Sequence, residues 1–170
     1  EEWDKREDVT KPIFPTFDDG YKNNLKAYEI FKKLKTADFT PKGTFFVISD
    51  FIGRQNRLSE SDLKMLVASD LVSVQSHTAS HPELTKIDDL DAELKGSKEA
   101  IEEITNKPVI ALAYPFGSFN QKVIAETKKE FDDCMAQHGM SPAAYVDRCG
   151  ILTDKTILAH SVVLTDEDIE

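Results

Sequence analysis

Cysteine, positive charge and long apolar runs are all scarce in this chain. Two cysteines among 170 residues, Cys134 and Cys149, permit one disulfide without implying it and leave the redox compartment open. Were the chain exported, the pair would close a loop of about fifteen residues, worth ~3 kcal/mol by chain entropy. Lys and Arg number 21 against 31 Asp and Glu, for a net charge of −10. That excess repels phosphates and anionic headgroups alike, and argues against a nucleic-acid or membrane-surface partner. No apolar stretch approaches the ~20 residues that span a bilayer. The opening "EEWDKREDVT" is too polar for a signal peptide, and residues 1–11 read as a poorly ordered lead-in. No repeat or Pro/Gly/Ser linker divides the chain, so residues 1–170 read as one domain. No Gly-rich loop opens any helix, which leaves nucleotide binding without support.

What is present alternates. "PIFPTF" (12–17) reads as a strand, although Pro15 suits a central strand poorly. Leu25, Tyr28, Phe31 and Leu34 recur every three residues and predict an amphipathic helix. "GTFFVIS" (43–49) predicts a buried strand, and Leu63, Leu66 and Val67 a helix capped by Ser59 or Ser61. "LVSVQS" (71–76) has the period of a strand, and Leu90 to Ile104 that of a long helix ending before Pro108. "VIALAY" (109–114) predicts another strand, and a helix begins at Asn120. "AAYVDRCGIL" (143–152) and "TILAHSVVL" (156–164) read as later strands. Repeated β/α alternation predicts an α/β fold with parallel strands, a distorted (β/α) barrel of fewer than eight units in preference to an open sheet.

Unusual residues follow three of these strands: Asp18 and Asp19 after the first, "SHTASH" (76–81) after the third, "AYPFGS" (113–118) after the fourth. Parallel strands end on one face, where α/β proteins carry their sites. Each segment alone also reads as a solvated turn or surface loop. Together they offer more. His77 and His81, spaced i and i+4, share one side of a helical turn, and with an aspartate they make a three-ligand set that leaves room for water on a catalytic metal. Two adjacent carboxylates tolerate their repulsion if one meets a dication and the other serves as a base.

"TFDDG", "SHTASH" and "AYPFG" resemble the first three motifs of the polysaccharide deacetylases, the NodB-homology domain of carbohydrate esterase family four. The resemblance runs from about Pro12 onwards. It implies a divalent metal, usually Zn2+ with Co2+, Mn2+ or Ni2+ as alternatives. It further implies removal of acetyl from N-acetylglucosamine polymers, or from xylan in some members, and hence an extracellular or cell-envelope location. Carried onto this sequence, Asp18 matches the base, Asp19, His77 and His81 the ligands, and Thr78 a hydroxyl that braces the loop. The backbone N–H of Phe116 matches the oxyanion donor, and Tyr114 and Pro115 belong to the same third motif. The arginine usual in that motif is missing, Ala113 standing in its place, and Arg148 is a speculative substitute. Trp3, the only tryptophan, lies outside the fourth motif. "ILAH" resembles the fifth, with His160 the candidate general acid and His138 the other uncommitted histidine. A metal-containing carbohydrate-binding module without catalysis is the rival reading.

Overall fold

A computed structural model describes residues 14–138, with side chains through residue 130. The predicted strands at 143–152 and 156–164, the lead-in, Cys149, Arg148, His160 and the Cys134 and His138 side chains lie outside the described residues. Three parallel strands, β1 (Thr16–Phe17), β2 (Gly43–Val47) and β3 (Val72–Ser76), stand side by side in that order. Four helices accompany them: α1 (Leu25–Leu34), α2 (Glu60–Ala68), α3 (Leu90–Thr105) and α4 (Gln121–His138). Among the described residues of "PIFPTF", Thr16 pairs with Thr44 and Phe17 with Phe45.

Both faces of β2 and β3 are largely buried, as parallel strands flanked by helices require. The main core joins Phe45, Val47, Val72 and Val74 of the sheet to Tyr28, Phe31, Leu63, Leu66 and Ile101 of the helices. Gly43 is part of that packing, because a Cβ there would lie 2.6 Å from the Phe31 ring. On α1 the stripe departs from expectation at one end: Tyr28 and Phe31 are buried, whereas Leu34 is exposed on the helix's last turn. A second core gathers Leu84, Leu90, Leu94, Leu112, Tyr114 and Val123.

"VIALAY" does not form the expected strand. It lies parallel to β3 but touches it through a single bridge, Ser76 with Leu112. The cause is Gln75, whose side-chain Oε1 accepts from the N–H groups of Ile110 and Ala111 at 2.8 and 2.9 Å. A side-chain amide thus takes the donors that a neighbouring carbonyl ladder would use. The end result is the same for the site: residues 113–117 leave the sheet on the face reached by the ends of β1 and β3.

Candidate metal and active centre

β1 ends in a tight turn. Asp19 and Gly20 both have positive φ, +68° and +64°, a pair of conformations that Asp-Gly adopts readily. Gly20 has a further reason to be glycine, since a Cβ would sit 3.1 Å from Val47 Cγ1. The turn swings the Asp19 carboxylate towards the exit of β3.

There the segment from His77 to His81 is not the helical turn that the spacing predicted. The His77 N–H still donates to the Val47 carbonyl at 2.9 Å, which keeps that residue in the sheet ladder. The chain then reverses through Thr78 and His81, both at φ +66°. The rings converge nonetheless, with centroids 4.7 Å apart at 71°. Several bonds hold this loop. Thr78 Oγ1 accepts from the His81 N–H at 3.1 Å, and the Thr78 N–H donates to Ser76 Oγ at 3.1 Å. The N–H groups of Ser49 and Asp50 donate to the carbonyls of Thr78 and Ala79, and the Glu93 carboxylate accepts from the Ser80 N–H at 2.8 Å.

Asp19 Oδ1 lies 3.6 Å from His77 Nε2 and 3.4 Å from His81 Nε2. Donors about 2.1 Å from a tetrahedral dication are about 3.4 Å from one another, so the three atoms stand at ligand spacing. All lie within 4.8 Å of each other. His77 Nδ1 is 2.8 Å from the Ala113 carbonyl. A carbonyl only accepts, so Nδ1 carries the hydrogen and Nε2 presents its lone pair towards Asp19. Burial holds His77 below the ordinary histidine range. The Ala113 bond and the Asp18 charge oppose this, His81 reinforces it, and Asp19 opposes it more weakly. The ring is therefore neutral at neutral pH, the form that binds metal.

Asp18 directly precedes this triad and is half-buried. Phe116, at φ +58°, sets its ring edge against His81 with centroids 4.7 Å apart. Tyr114 faces another way: it stacks on Phe119, and its hydroxyl bonds Thr127 of α4. Burial pushes its phenol above the usual value, and the residue belongs to the second core, next to the buried Pro115. Among the described residues seven non-glycines have positive φ, and four of them (Asp19, Thr78, His81 and Phe116) border the triad. Two of the four, Thr78 and Phe116, are not Asp, Asn or His, the types enriched in this region. Such clustering is characteristic of sites held in place by their surroundings.

The sequence profile of the family described as "Polysaccharide deacetylase" matches residues 5–130. The chain belongs to the polysaccharide deacetylase family. A polysaccharide deacetylase from Bacillus cereus is similar in structure, 52% identical with a TM-score of 0.70, over 72% of this chain and 39% of that one. A Streptococcus pyogenes deacetylase solved in complex with acetate is 29% identical with a TM-score of 0.63, over 72% of this chain and 54% of that one. A third likeness is of another kind. A run of 45 residues is 49% identical to a 5'-deoxyadenosine deaminase of Methanospirillum hungatei, covering 26% of this chain and 10% of that protein. The chain thus spans about two fifths of the Bacillus structure and a tenth of the deaminase.

Within the deacetylase segment, two residues at the site carry no motif. Glu93 braces the histidine loop from the first turn of α3. The Arg57 guanidinium donates to the Asp19 carbonyl. Both act on main-chain groups far away in sequence, a relation that leaves no periodicity or spacing to read.

Proposed function

We propose that the chain is part of a metal-dependent hydrolase that removes acetyl groups from an N-acetylglucosamine-containing polysaccharide such as peptidoglycan or a chitin-like polymer. The observation that supports this is the Asp19–His77–His81 triad at ligand spacing, with a second carboxylate beside it, in a chain of this family. Asp19 Oδ1 and the two Nε2 atoms would hold the ion, Zn2+ by preference for two imidazoles and a carboxylate, with Co2+, Mn2+ or Ni2+ as substitutes. When bound, a dication supplies Lewis acidity and makes water a stronger acid. Asp18, outside the triad, accepts the proton of the attacking water. Water adds to the acetyl carbonyl, the C–N bond breaks, acetate leaves, and the sugar amine takes up a proton. The Phe116 N–H donates to the oxyanion that develops on the carbonyl oxygen. Polymers of this class lie outside the cytoplasm, so the reading carries an extracellular or cell-envelope location with it.

Acetate release from chitooligosaccharide, peptidoglycan and acetylated xylan, each with and without added zinc, is the test. Zinc-dependent release from either of the first two supports the proposal. Release from xylan alone makes the protein an O-acetyl esterase, and binding without release makes it a carbohydrate-binding module.

A further inference from the structure

A guanidinium from outside the three motifs reaches the main chain of Asp19. We propose that Arg57 is a positioning residue for the Asp18–Asp19 turn, fixing the main chain from which Asp19 presents its ligand oxygen. This inference rests on the metal-site reading above.

Arg57 is held for the purpose. Residues 56–58 run alongside the turn: the Lys22 N–H donates to the Asn56 carbonyl at 2.8 Å, the Leu58 N–H donates to the Gly20 carbonyl at 2.9 Å, and Arg57 forms an antiparallel bridge with Tyr21. Those bonds tie down the far side of the turn, after Gly20. The near side, at the Asp19 carbonyl, is tied by the Arg57 guanidinium. That guanidinium lies over the Tyr21 ring, 3.9 Å from its centroid, and 5.0 Å from that of Phe51. A planar cation between two rings has few orientations left, so its donor direction is set before the carbonyl arrives.

The geometry gives the contact a consequence. Asp19 sits at φ +68° and Gly20 at +64°, and the peptide between them can rotate unless its carbonyl is held. With the carbonyl held, the backbone torsions around Asp19 are fixed, and with them the aim of its carboxylate at His77 and His81, whose Nε2 atoms stand 3.6 and 3.4 Å from Oδ1. The guanidinium also sets a permanent positive charge beside the backbone of two adjacent acids, opposing their mutual repulsion. Groups that orient metal ligands from outside the coordination shell typically contribute 10- to 100-fold to affinity.

The test is zinc titration of the purified chain by competition with a chromophoric chelator, alongside Arg57→Met, Arg57→Lys and Asp19→Ala, with circular dichroism to confirm folding. Arg57→Met should bind zinc roughly 10- to 100-fold more weakly while folded, and Arg57→Lys should recover part of the loss. The visible absorption of the Co2+-loaded protein should change in Arg57→Met. Ser59→Ala, a helix-cap change of comparable destabilisation, should leave both readouts alone. Parental zinc affinity and an unaltered cobalt spectrum in folded Arg57→Met would overturn the proposal. Should Arg57→Met not fold, Arg57→Lys decides alone: parental affinity and spectrum overturn the assignment, whereas a weakened site with a shifted spectrum supports it. If the parent and Asp19→Ala bind zinc equally poorly, the metal reading itself falls, an outcome separate from failure at Arg57.

Discussion

Asp18 and Asp19 are chemically identical neighbours, and in the proposed reaction only their surroundings would divide their labour. Asp19 faces two imidazole nitrogens; Asp18 does not belong to that cluster. Asp18→Asn should therefore keep its zinc while turnover falls ~100- to 10,000-fold, the usual loss for a missing general base. Asp19→Ala should lose the metal, as elemental analysis of the two dialysed proteins will read. Equal metal contents and equal rates would refute the division. Thr78 offers a subtler test. It is a fully buried β-branched residue at positive φ whose hydroxyl receives the His81 N–H. Thr78→Val keeps the shape and removes the acceptor, so one buried donor is stranded at a cost of about 1–3 kcal/mol. Lower zinc affinity and a lower denaturation midpoint should appear together. The aspartate pair and the two histidines were legible because their residue types are rare side by side at strand ends. The conformations that aim them were not, since i, i+4 spacing suggests a helix and nothing local announces a β-branched residue at positive φ.

The elements show the same divide between local signals and remote ones. α2 was readable with its cap: Ser59 accepts from the Asp62 N–H, and the Asp62 carboxylate returns the bond to the Ser59 N–H. Ser59→Ala should cost about 1 kcal/mol in urea unfolding. Asp62 adds a pH dependence. Burial pushes its carboxyl up, but hydrogen bonds from Lys22 and Ser59 outweigh this and leave it below its ordinary value of 3.8. A carboxyl with a lowered folded pKa stabilises fully above the unfolded value and loses that contribution as pH falls through the folded one. Asp62→Asn should thus narrow the stability gap between pH 6 and pH 3 relative to the parent, measured by thermal melts. The fourth predicted strand, by contrast, failed because periodicity registers apolar residues and not who satisfies the backbone. Gln75, a polar residue 5% exposed on β3, takes the donors of Ile110 and Ala111, and no window around residue 110 contains that information.

At the scale of the whole molecule, two likenesses share the chain. The deacetylase structures cover 72% of it and the family match stops at residue 130, while the deaminase likeness covers 26%. His160 lies beyond the residues that the family match covers, and acetate release at the parental rate by His160→Ala would exclude it as the general acid. A large fall in turnover with unchanged metal content and Michaelis constant would instead make it the general acid. The β/α alternation and the mouth at the strand ends were legible throughout residues 14–138, because each element there carries its own periodicity or turn. The candidate ligands at that mouth follow the first and third strands of the described sheet, Asp19 after β1 and His77 and His81 after β3, with β2 between them. An ion held there is a strap across the sheet, closing a stretch of chain that unfolding must release. Under the proposed metal reading, folding and metal occupancy would be one coupled equilibrium. Free zinc at 100 times its dissociation constant should add about 2.7 kcal/mol to the unfolding free energy, visible as a melting temperature that climbs with zinc and falls on chelation. On that reading a chelator would act on this sheet as a denaturant that never touches the hydrophobic core.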